Sequence, residues 1–222
     1  MSFTQLLFEE TRYTWEKEKI HPFIAGIGNS TLPLKMFRYY MRQDYVFLID
    51  FCRTISLAVV KANKLEDMGW FAKLLNETIN TEMSLHVNFS KEFNISEEEL
   101  KNTEPSPTTH AYTNHLIQTA FTGGVGEIAS SILPCSWGYS EIGRMLSYSS
   151  PSIGQPLYSQ WVEMYSSDEF RQLADWLITF IDNVALTSGK VEIDLMKKAF
   201  VLSTKYEYMF WDAAYKMETW QI

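Results

Sequence analysis

From end to end of this 222-residue chain, apolar side chains return every three or four residues, the period of an α-helix, and no run alternates apolar and polar residues between hairpin turns. That periodicity confines the chain to helices packed on helices, an all-α class. Breakers and capping residues set the boundaries. A first helix is predicted over about residues 3–19, ahead of "HPFIAGIGNSTLP", whose Pro22, Gly26, Gly28 and Pro33 read as a loop and then a helix start. Two long helices follow over about 32–62 and 65–93, then one short turn opened by Ser96 and Glu99 at capping-box spacing, and the loop "NTEPSPTTH". Further helices are expected over about 108–121, 124–148, 155–165, 168–187 and 190–217. They are separated by Gly123-Gly124, "SYSSPSIGQP", Ser166-Ser167 and Ser188-Gly189. These connections are short and no internal repeat appears, so a single helical domain over 1–222 is the expected organisation.

The charge balance, 27 acidic against 19 basic side chains for a net charge of −8, argues against a nucleic-acid partner, which would demand clustered Lys and Arg. Two cysteines, Cys52 and Cys135, make neither a disulfide framework nor a zinc site, and Cys52, with Leu48, Ile55 and Val59 on its face, reads as core filler. The first twenty residues carry charges throughout and lack the apolar run of a signal peptide. No later segment is apolar long enough to span a bilayer. A cytoplasmic protein without a membrane partner is expected. An aromatic content of 15% implies a heavily packed core, or a pocket that grips a flat ligand.

A few polar groups interrupt this apolar patterning. Cys135 shares a face with Ile128, Ile132, Tyr139, Ile142 and Leu146, and Pro134 just before it must either start the helix or kink it. A helix start there would favour the thiolate, the nucleophilic form; the alternative is an inert buried thiol. Asp44 interrupts the stripe Phe37, Tyr40, Met41, Phe47, Leu48 and Phe51, so it needs a cation such as a neighbouring Arg or Lys, a polar hydrogen-bond partner, or a ligand cavity. Glu207 lies on the face of Met196, Phe200, Ser203 and Trp211 within "YEYMFWD". There it is either an acid whose pKa is raised for proton transfer or a carboxylate capped by tyrosine hydroxyls. Tyr112 and Tyr165 are placed as core tyrosines with satisfied hydroxyls. Glu82 and His86, one turn apart, fit either a metal site or a local hydrogen bond, and the other histidines supply no second matching pair.

The segments "RQDYVFLIDF", "NTEMSLHVNF", "LPCSWGYSEIG", "WVEMYSSDEF" and "STKYEYMFWDAAY", in this order over nearly the whole chain, resemble the TenA-type thiaminase II (aminopyrimidine aminohydrolase) family, in its cysteine-containing class. The resemblance implies a haem-oxygenase-like helical bundle, a homotetramer with one active site inside each bundle, and hydrolysis of 4-amino-5-aminomethyl-2-methylpyrimidine, with thiamine cleavage as a slower activity. It implies Cys135 as nucleophile and Glu207 as general acid and base. Asp44 would hold a ring nitrogen or the exocyclic amine, Tyr139 and Tyr165 would hydrogen-bond, and Tyr112 and Phe47 would line or stack on the ring. No metal and no cofactor are implied. Two other classes share such a fold: a metal-dependent oxidase and a non-catalytic pyrimidine-binding or regulatory protein.

Overall fold

A computed structural model describes residues 1–93, 95–149 and 154–221; part of the predicted break at "SYSSPSIGQP", residues 150–153, lies outside them. Among the described residues, eleven α-helices and one π-helical segment follow one another, and no strand forms. Helix α1 (Phe3–Lys19) opens on a capping box between Ser2 and Gln5 and buries Leu7, Thr11, Trp15 and Glu18.

The first departure from expectation is α2 (Pro22–Gly28), which forms where the glycines and prolines suggested a loop. His21 Nδ1 accepts from the Phe23 amide at 3.2 Å, and Pro22 occupies the first turn, where its missing N–H costs nothing. Phe23, Ile24 and Ile27 are completely buried. At about 1.5–3 kcal/mol for each side chain removed from water, they outweigh a penalty of about 1 kcal/mol for each glycine. Gly26 is required besides, because a Cβ there would stand 2.9 Å from Leu32 Cβ where the chain folds back.

Helix α3 (Leu34–Lys61) carries the predicted stripe, with Phe37, Tyr40, Met41, Asp44, Phe47, Leu48 and Phe51 all buried. The helix expected over 65–93 is three pieces: α4 (Leu65–Glu77), a π-helical turn (Thr78–Glu82) and α5 (Met83–Glu92). Leu74, Thr78, Glu82 and His86 are all buried, so inward residues recur at three successive four-residue steps. Twelve residues overshoot three α-helical turns by roughly 1.2 residues. One wider turn, closing i→i+5, absorbs that excess and keeps all four side chains facing the core. Helix α6 (Glu97–Lys101) opens on the Ser96–Glu99 capping box, as the spacing predicted.

The remaining helices are α7 (Pro107–Thr122), α8 (Val125–Ser149), α9 (Pro156–Ser166), α10 (Asp168–Ala185) and α11 (Lys190–Lys216). Helix α8 is the axis of the bundle, in contact with α11, α10, α9, α7 and α3, while α3 also packs on α7 and α4. Pro134 does not start a helix: α8 continues past it on both sides, and the Ser130 carbonyl forgoes its helical donor. Gly143 lets α9 rest on α8, since a Cβ there would stand 2.6 Å from the carbonyl carbon of Tyr165. One continuous core includes Trp161, Trp211, Tyr40, Tyr112 and Tyr165, each almost wholly buried. Among the described residues, no helix is long and apolar enough to cross a membrane.

Candidate active site

Two polar clusters meet inside the bundle. The first is built on Asp44, held on α3 among aromatic rings. The Tyr40 hydroxyl donates to Asp44 Oδ2 at 3.1 Å, accepts from Trp161 Nε1–H at 3.1 Å, and lies 3.3 Å from the Tyr139 hydroxyl. No Arg or Lys approaches Asp44 closely among the described residues; the partner is His86, whose Nε2 stands 2.6 Å from Oδ2. His86 Nδ1 faces the Glu82 backbone carbonyl at 2.8 Å. The local Glu82–His86 hydrogen bond therefore exists, but it runs to the main chain. The Glu82 carboxyl turns instead to Tyr165, whose hydroxyl donates to Oε1 at 2.8 Å.

The second cluster surrounds Cys135. The Tyr112 hydroxyl donates to Glu207 Oε1, and the Cys135 thiol lies within electrostatic and hydrogen-bonding reach of the same carboxyl. The Phe47 ring packs 4.9 Å from that of Tyr112 and 5.7 Å from that of Phe210, and Tyr139 packs 4.7 Å from Tyr165. All seven side chains singled out in the sequence thus sit in one region. Cys135 and Glu207 come together directly, whereas Asp44 reaches Tyr139 through Tyr40, and Tyr165 joins through Glu82.

Burial dominates the electrostatics. It pushes Glu207 up to about 8, against the hydrogen bond from Tyr112, and the charge of Asp44 adds to the rise. Glu82 rises to about 7 through burial and then the Asp44 charge. For Cys135, burial first and then Glu207, Glu82 and Asp44 drive the pKa well above the ordinary thiol value. Helix α8 does not begin at Pro134, so the helix start that would favour a thiolate is not there. The resting sulfur is a thiol, the other of the two readings that the sequence left open. His86 moves the other way from most buried histidines: burial lowers its pKa, but the hydrogen bond and charge of Asp44 raise it to a net increase.

A cleft leads to this region from the surface. Cys135 and Glu82 line its inner part with Phe51 and Met164, and the exposed Glu169 lies on its rim. Cys135 is deep in the core yet keeps part of its surface open to the cleft. Sequence reasoning did not single out Tyr40 or Glu18, and weighed His86 only as a metal ligand or a local partner of Glu82. Tyr40 appeared only as part of an apolar stripe. His86 bonds a residue 42 positions away, a pairing that no local pattern encodes. Glu18, 2% exposed and with no hydrogen-bond partner for Oε1 among the described residues, feels the Glu207 charge after its own desolvation. Its signal was present in the sequence, since it extends the inward face of Leu7, Thr11 and Trp15.

Known proteins resemble this chain over almost its whole length. The aminopyrimidine aminohydrolase of Halalkalibacterium halodurans is 40% identical over 220 residues, 99% of this chain and 98% of that protein. The aminopyrimidine aminohydrolase of Bacillus subtilis is 38% identical over 220 residues, 99% of this chain and 92% of that one. Among solved structures, the TenA homologue protein of P. horikoshii superposes with a TM-score of 0.89 at 28% identity, covering 97% of this chain and 99% of that chain. A domain with a heme oxygenase-like fold from Shewanella denitrificans gives 0.74 at 14% identity, covering 98% and 93%, a likeness of fold. Residues 9–217 match the TENA/THI-4/PQQC family, and the chain belongs to it.

Proposed function

We propose that the protein is an aminopyrimidine aminohydrolase of thiamine salvage, converting 4-amino-5-aminomethyl-2-methylpyrimidine and water into 4-amino-5-hydroxymethyl-2-methylpyrimidine and ammonia, with slower cleavage of thiamine. The observation that carries this reading is the Cys135 thiol in the inner part of a cleft, beside a Glu207 carboxyl pushed up to about 8. A nucleophile next to an acid that exchanges protons near neutrality is what such a displacement calls for.

As Sγ adds to the pyrimidine ring, the Glu207 carboxylate takes the thiol proton, so no free thiolate accumulates in the buried site. Ring aromaticity is broken. The exocyclic carbon–nitrogen bond then cleaves, and Glu207 returns its proton to the departing amine, which leaves as ammonia. Water adds at the exocyclic carbon and gives a proton to Glu207. The carbon–sulfur bond breaks, the ring regains its aromaticity, and Glu207 reprotonates the sulfur. With thiamine the thiazole departs in place of ammonia. In this reading Asp44 accepts from the amino or ring N–H edge, Tyr139 and Tyr165 hydrogen-bond, and Phe47 and Tyr112 wall the ring. A homotetramer in the cytoplasm completes the proposal, and light scattering that finds a monomer at working concentration would remove the tetramer.

The test is ammonia release from 4-amino-5-aminomethyl-2-methylpyrimidine by metal-free protein, beside a Cys135→Ser control. The variant is expected to fold with the same circular dichroism and to lose most turnover. Wild-type turnover in Cys135→Ser would eliminate the nucleophile. Tight pyrimidine binding without any release would point to a binding or regulatory role.

A further inference from the structure

His86 is completely buried, and each of its ring nitrogens has one polar partner. The partner of Nδ1 is the Glu82 carbonyl, which can only accept, so Nδ1 carries a proton. A single proton is then left for the 2.6 Å contact between Nε2 and Asp44 Oδ2. It sits either on Asp44, with His86 neutral, or on Nε2, making an imidazolium and a carboxylate. The surroundings favour the second arrangement. Oδ2 also receives the Tyr40 hydroxyl, which is itself fed by Trp161 Nε1–H, and two donors converging on one oxygen suit a carboxylate. The titratable groups around the pair are Tyr40 from α3, Tyr139 and Cys135 from α8, Tyr165 from α9, Glu207 from α11 and Glu82 from the π-helical turn; Tyr40 and Tyr139 form the hydroxyl chain at Asp44, Tyr165 bonds Glu82, and Cys135 and Glu207 feel the Asp44 charge without bonding it.

Both bonds to Asp44 fall on Oδ2, which leaves Oδ1 for a ligand. We propose that His86 is a positioning residue for the reaction: protonated on both nitrogens, it holds Asp44 as a carboxylate and fixes its orientation, so that Oδ1 accepts a hydrogen bond from the N–H edge of the aminopyrimidine. The π-helical turn is the local device, because it brings Glu82 and His86 to the core side together. This inference rests on the aminopyrimidine reading of the site. His86 touches no reacting atom; it acts through Asp44.

Nitrogen-15 NMR of histidine-labelled, ligand-free protein between about pH 6 and pH 8 tests the charge of the pair. The expected spectrum gives His86 the shifts and two N–H couplings of an imidazolium. A neutral ring throughout, with Nε2 unprotonated, would overturn the inference. Kinetics test the consequence. His86→Asn offers a neutral donor, and a buried carboxylate without its counter-charge takes up a proton. Its kcat/KM for the pyrimidine should fall on the order of ten- to a hundredfold near pH 7, and the loss should shrink as pH rises because the acid limb of the profile moves upward. A loss that is equal at every pH would reduce His86 to a packing role and refute the proposal. If His86→Asn fails to fold, the wild-type spectrum decides. A wild-type protein inactive on the pyrimidine would sink the proposed function, whereas a neutral His86 in an active enzyme would sink this inference alone.

Discussion

Replacing Glu207 by Gln should make the protein more stable in alkali while destroying its activity. Glu207 is 3% exposed, and burial moves it from an ordinary 4.5 to about 8. The folded protein therefore holds this proton to a higher pH than the unfolded chain does. Stability from this group is full below about 4.5, declines as pH rises, and is lost once pH passes about 8. At about 1.4 kcal/mol per pH unit, the whole interval amounts to about 5 kcal/mol. Gln has no proton to lose and keeps an Oε1 that can accept from the Tyr112 hydroxyl. The two proteins should thus differ little near pH 5, and the variant should lead by about 5 kcal/mol near pH 9. Urea unfolding at both pH values and equal protein concentration measures the gap. For a chain of this length, it corresponds to about 10–20 °C in melting temperature. A gap that is the same at both pH values to within about 1 kcal/mol would refute the claim that burial governs this acid, and with it the proton exchange assigned to Glu207.

Gly143→Ala should lower thermal stability by about 1–3 kcal/mol and reduce turnover, because the new methyl meets the Tyr165 backbone at 2.6 Å and pushes α9 off α8; an unchanged melting temperature would show that the helices have room to part. Glu18→Met removes a buried carboxyl whose Oε1 has no hydrogen-bond partner among the described residues and whose pKa burial has driven well above the ordinary range. It should stabilise the fold by about 1–3 kcal/mol near neutral pH, and a lower melting temperature would mean that Glu18 has a hydrogen-bonding role after all.

Much of the bundle was readable from periodicity, because a helix that buries one face repeats apolar residues along it whatever its neighbours are. Two places escaped. At α2 the glycines and proline read as breakers, yet Phe23, Ile24 and Ile27 gain more from burial than the glycines cost. At Thr78–Glu82 the helical period itself changes, and the trace it leaves, inward residues at 74, 78, 82 and 86, looks like ordinary helix unless the accumulated drift is counted. The site followed the same division. Asp44 and Glu207 stood out because charge on an apolar stripe demands an explanation. The identity of Asp44's partner did not, since pairing α3 with α5 is a product of tertiary packing. Which of the two states Cys135 takes is not legible for a related reason: its pKa depends on burial first and then on three carboxyls delivered by other helical segments, and the proline beside it has no bearing on them.

The π-helical turn also means that between residues 65 and 92 the count of residues matters more than their kinds. Deleting any one of the five from Thr78 to Glu82 would let hydrogen bonds revert to i→i+4, and the separation of eleven residues then left between Leu74 and His86 comes within about 0.2 residues of three plain turns, so the buried face would survive the loss. Inserting one residue without a second wide turn would instead turn α5 by about 100° about its own axis relative to α4, carrying His86 away from Asp44. Substitutions here can be absorbed one side chain at a time, but an added residue cannot, so this segment is guarded against lengthening by geometry rather than by chemistry.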